Sequence, residues 1–149
     1  MPDELPDTVL IELGRLTWSA IHLEDLTDSL CHFVVHRDPR EDRRPIGSKI
    51  TEALRELRDR QSAQDIEAWL VRAREALESR NAFLHSVPLV LLNERGQKVG
   101  HALGEMPRRN RQYFERRMTA TAIREVREEL DAACQGWRET LTLAAGERP

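Results

Sequence analysis

The chain has 149 residues, a formal net charge of -3 and one charged residue in every three. Its 40% hydrophobic content is enough for one core and too much for a disordered chain, and the length suits a single domain. The longest unbroken apolar run, Val87–Leu92, is far short of a membrane span, and the acidic start lacks a signal peptide's apolar stretch, so the expected location is the cytoplasm.

Residues 7 to about 36 read as one long helix. Val9, Leu13, Leu16, Ala20, Leu23, Thr27, Leu30 and Val34 recur at steps of three and four, the seam of a helix packed in a bundle. A charged loop closing on Pro45 ends it, and a shorter helix over about 47–60 carries Ile46, Ile50, Leu54 and Leu57 on one side. A third helix, about 63–85, presents Ile66, Trp69, Leu70, Ala73, Leu77 and Leu84, and Pro88 stops it. The apolar run 89–92, a turn ending at Gly96 and a second short run predict a small β-hairpin. Residues 107–118 read as irregular and Arg-rich. A last long helix starting near Thr119 or Thr121 carries Ile123, Val126, Leu130, Ala133, Cys134, Trp137 and Leu141. The expected fold class is all-α, a four-helix bundle with one hairpin between its third and last long helices. Leu10, Ile21 and Leu26 on the first helix, and Val71 and Phe83 on the third, lie off these stripes. A dimer contact or a wider buried face within one protomer would each account for them.

Cys31 and Cys134 form no CxxC pair and sit among apolar neighbours, which predicts reduced core thiols. No histidine grouping has metal-ligand spacing and no Gly-rich phosphate loop occurs, so neither metal nor cofactor is expected. The mild acidity excludes a protein that coats nucleic acid by bulk charge, but not a local basic patch.

The chemistry concentrates at Arg80-Asn81-Ala82-Phe83-Leu84-His85. Extending the stripe Ile66, Ala73, Leu77 by its own period lands on Arg80, so an arginine stands where the pattern asks for a core residue. A buried guanidinium is costly unless it is paired or faces a ligand. Asn81 and His85 are four apart and share a neighbouring face. A fixed cation, an amide and an imidazole together suit phosphodiester chemistry. Histidine moves protons near neutral pH, and arginine holds a phosphate bidentately. The spacing alone recurs at Arg15/His22 and Arg95/His101; Asn81, the helix-end setting and the break in the stripe single out Arg80/His85.

Arg80-Asn81-x3-His85 resembles the Arg-polar-x3-to-5-His motif of HEPN domains, as do the long first helix, the hairpin after the motif and the final helix. The resemblance spans most of the chain in element order and about six residues in motif. It implies a homodimer in which two copies of the motif form one composite site that cleaves RNA without metal. Arg80, Asn81 and His85 would be its catalytic residues, in a toxin or defence effector with an antitoxin or regulatory protein as a further partner. The family also has non-catalytic forms, so a helical module binding a protein partner or nucleotide is the other implied role. One toxin branch carries a tyrosine two places after the histidine, where this chain has Val87.

If Arg80 is buried it needs a carboxylate, and Glu24, flanking the Ala20/Leu23/Thr27 seam, is the expected one, against the alternative that it is a solvated surface charge. In the 107–118 segment, five arginines stand against Glu115 with Tyr113 and Phe114 between them. Arg108, Arg109, Arg111 and Tyr113 are candidate RNA contacts, against the alternative of a soluble connector.

Overall fold

The computed structural model describes residues 5–38, 40–84, 87–105, 114–117 and 119–146, with side chains for 5–38, 40–81, 93–97 and 119–146. Helix α1 spans Asp7–Val35, α2 Ile46–Leu57, α3 Gln64–Leu84, α4 Ala120–Ala133 and α5 Trp137–Gly146. Strands β1 (Val87–Leu92), β2 (Lys98–Glu105) and β3 (Phe114–Arg117) lie between α3 and α4.

The helix ends follow from local chemistry. Pro6 and Pro45 precede α1 and α2, and their carbonyls accept from the first free amides, Val9 and Leu10 in one case and Ser48 and Lys49 in the other. His36 closes α1 in the left-handed region, at φ 57°. The Thr119 hydroxyl accepts from the Ala122 amide and caps α4. The expected single last helix is two. Gly136, at φ 74°, turns the chain between α4 and α5, a conformation that glycine adopts without a Cβ penalty.

The described core is all-α, since its buried apolar residues come from the helices and from Ala63 at the entry to α3. Leu16, Leu23 and Leu30 of α1 meet Ile50 and Leu57 of α2, Ile66, Trp69 and Leu70 of α3, and Ile123 and Leu130 of α4, all almost wholly buried. Two indoles close the top of this core by donating to backbone carbonyls, Trp69 Nε1 to Gln135 and Trp137 Nε1 to Leu26. Helix α4 runs alongside α1 in the same direction, with Arg124 and Arg127 beside Glu12 and Trp137 beyond its end at Leu26.

The three strands form one antiparallel sheet in the order β1-β2-β3, and the register shifts between Leu91 and Leu92. The Asn93 side chain tightens the β1–β2 turn by accepting from the Arg95 and Gln97 amides, with Gly96 at φ 72°. Residues 107–118 are not wholly irregular: β3 pairs with β2, placing Arg117 opposite Ala102 and Phe114 opposite Glu105. Its alternation is hidden from a hydrophobic pattern by charged residues, and the pairing is long-range.

Cys31 is buried and Cys134 half-buried, both free. Burial, then the nearby Asp28 charge, pushes the Cys31 thiol up to about 12, which makes it unreactive at neutral pH. Of the residues off the predicted stripes, Leu26 and Val71 are half-buried while Leu10 and Ile21 are exposed. Among the described residues, no helix is long and apolar enough to cross a membrane.

Candidate functional site

The last turns of α3 bring the site to the middle of α1. Ala73 and Leu77 are buried as the stripe requires, and one turn on, the Arg80 side chain is only 17% exposed. Its Nη2 donates to Glu24 Oε1, joining α3 to α1. The Arg80 Nε is buried and has no hydrogen-bond partner, so one donor edge of the guanidinium is used and another is not. Asn81 is half-buried on the same turn. Glu24 lies at the rim, its side chain 38% exposed, so the pair is a boundary ion pair and not a sealed one.

Two further charge clusters surround α1. Near its start, Glu12 is almost wholly buried and faces Arg15 at 2.9 Å, Arg127 at 3.4 Å and Arg124 at 3.5 Å. Burial raises its pKa, but the Arg15 hydrogen bond and the three guanidinium charges outweigh that and hold the carboxyl below its ordinary value. Near the end of α1, Lys49 Nζ donates to Asp28 Oδ1 at 2.7 Å, and buried His32 lies 3.5 Å from the same oxygen. Arg44 binds Asp42 through Nε and Nη2 and also reaches Glu52, which accepts from Arg37 as well.

Three open clefts are lined by described residues. One of about 810 Å³ is lined by His36, Arg37, Asp38 and the 41–44 segment of the α1–α2 loop, and one of about 430 Å³ by His22, Leu26, Trp137 and Arg138. A third, about 300 Å³, lies between α3 and α4 beside Ser79 and Glu129. None of these three is lined by Arg80. Among the described residues no group of metal-ligating side chains converges.

Arg80, Glu24 and Asn81 are thus placed together, whereas His85, Arg108, Arg109, Arg111 and Tyr113 lie outside the described residues. Sequence reasoning missed the Glu12 cluster. Its signal was present: Glu12 falls four residues before Leu16, on the buried arc of α1, just as Arg80 falls on that of α3. No family model, curated protein or solved structure matches the chain.

Proposed function

We propose that the chain is a metal-independent endoribonuclease on a HEPN-like helical bundle with a hairpin after the motif helix. In this reading it acts in the cytoplasm as a toxin or defence effector, with two copies contributing to one site. The observation that carries the reading is Arg80. It is a guanidinium in a core position, held by Glu24 on one edge and left with a buried, unpartnered Nε–H at a helix terminus that also bears Asn81. Glu24 fixes the guanidinium in place, and the 17% of the side chain that stays exposed is the part a phosphate would meet.

RNA supplies the nucleophile. His85 takes the proton from a 2′-hydroxyl, the 2′-oxygen bonds to the adjacent phosphorus, and the bond from phosphorus to the 5′-oxygen breaks. A proton delivered to that oxygen completes a 5′-hydroxyl product, and the other product is a 2′,3′-cyclic phosphate. Arg80 holds the non-bridging oxygens as charge builds on them, Asn81 orients the reacting group, and Glu24 acts as the positioning residue for Arg80. Arg108, Arg109, Arg111 and Tyr113 would hold the strand beyond the cleaved bond, and an antitoxin or regulatory protein would restrain the activity.

The Glu24 contact also favours a second reading, a non-catalytic module for a protein partner or nucleotide, because a guanidinium neutralised within its own protomer stabilises the fold. The test is cleavage of RNA by purified protein in EDTA, with melting temperatures measured alongside. The nuclease reading expects cleavage to survive the chelator and to fall at least about 100-fold in His85→Ala and in Arg80→Ala. Full activity in either variant, or activity lost to the chelator, removes it. A wild type that cleaves nothing, with Arg80→Ala melting well below it, favours the module.

A further inference from the structure

We infer that the open face of α1 docks a second copy of this chain, antiparallel about a two-fold axis at the level of residue 16, in a joint separate from the Arg80 site. This face exposes Leu10 (50%), Ile11 (55%), Trp18 (75%) and Ile21 (49%). Ile11, Gly14, Trp18 and Ile21 follow steps of three, four and three, which places them on one seam of the helix. That order of steps reads the same from either end, with residue 16 at its midpoint. Gly14 has no heavy atom within 4 Å of where a Cβ would stand, so the seam has a hollow one turn from its largest side chain.

An antiparallel copy fits this seam against itself. Ile11 of each copy meets Ile21 of the other, and Trp18 of each enters the hollow over Gly14 of the other, a self-complementary contact of the kind two-fold symmetry requires. The four apolar side chains offer roughly 450 Å² per copy, within the 300–600 Å² range of the largest patches on monomers. This is more than half of the about 800 Å² that each partner gives to a standard interface, and the flanking Arg15, Thr17 and His22 supply rim. Asp7 and Asp25 share the face and come to the same level at its two ends. Their mild repulsion means that apolar burial, not charge, drives the pairing.

Glu24 stands eight residues from the axis, about 12 Å along α1, so the two Arg80–Glu24 pairs lie at least about 24 Å apart. This joint therefore does not bring two motifs into one cleft, and it stands or falls independently of the nuclease reading.

Sedimentation equilibrium of the full chain tests it, with Trp18→Glu and Gly14→Leu as variants. The wild type self-associates, and each variant weakens that step at least about 30-fold, halving the mass of the assembly. Trp18→Glu melts as the wild type does at low concentration, and Gly14→Leu melts no lower, since leucine is the better helix former. The association persists in 1 M salt. A wild type that stays monomeric at its highest soluble concentration overturns the inference, as does either variant associating normally or an assembly that salt dissociates.

Discussion

At the corner between α1 and α2, Arg37, Arg44 and Lys49 each have a carboxylate. Arg44 uses three hydrogen bonds on Asp42 and Glu52, Arg37 shares Glu52, and Lys49 takes Asp28. At the end of α3, Arg80 has one carboxylate among the described residues and a buried Nε without a partner. Arg127 also has an orphaned Nε, but it lies within reach of two carboxylates, Glu12 and Asp131. A saturated network has nothing left to offer a ligand and serves to join elements, whereas an unsaturated guanidinium retains directional donors at a fixed place. Burial of charge is common to both regions; the unused guanidinium donor separates Arg80 from Arg37, Arg44 and Lys49, although buried His32 beside them keeps two ring nitrogens without a hydrogen-bond partner.

The contrast is most exposed to failure in paired variants. Arg80→Ala is expected to cut RNA cleavage at least about 100-fold, whereas Arg44→Ala lowers the melting temperature and leaves cleavage intact. Initial rates and thermal melts on both proteins check this, and an inversion of the two phenotypes would break the comparison. Leu23→Ala serves as a packing reference next to Glu24. It opens a cavity in the core without touching a charge and should cost about 3 kcal/mol by denaturant titration, with the rate per folded molecule unchanged. Glu24→Gln keeps the shape but weakens the hold on Arg80. We expect about 1 kcal/mol of lost stability and a loss of roughly tenfold in rate, with the two separated by measuring kcat and KM individually.

The smallest effect distinguishes the two regions by acidity. The Arg44 hydrogen bond depresses Asp42 strongly and Glu52 less so, in each case against burial, which raises them. Folded values below the unfolded ones mean that the stabilisation is complete above the ordinary carboxylate range and is lost as pH falls through it and below. Melting temperature should therefore decline from about pH 4.5 downward, near the unperturbed carboxylate values, and Asp42→Asn should flatten that decline. A profile unchanged by Asp42→Asn would show that the corner does not couple to acid stability.

Much of this was legible in the residues because a helix buries a fixed arc. Val9, Leu16, Leu23 and Leu30 are buried where period 3.6 puts them, and the same arithmetic isolates Arg80 as the intruder. Glu12 obeys that arithmetic equally, but its partners Arg124 and Arg127 are more than a hundred positions away, and nothing in the sequence brings α4 alongside α1. The split between α4 and α5 was masked because Cys134, Trp137 and Leu141 continue a helical spacing across it. Gly136 was the available signal, as a left-handed residue just past a helix end. Trp18 escaped for the opposite reason: a large apolar residue suggests burial, and only the packed bundle reveals which of its faces stays open.

Arg80→Lys tests the central claim most directly, because lysine keeps a charge for Glu24 while losing the planar fork. RNA cleavage in EDTA should fall at least about 100-fold in this variant, with a melting temperature within a few degrees of the wild type. Cleavage at the wild-type rate by Arg80→Lys would contradict the account, for it would show that the unused guanidinium donor has no part in the chemistry.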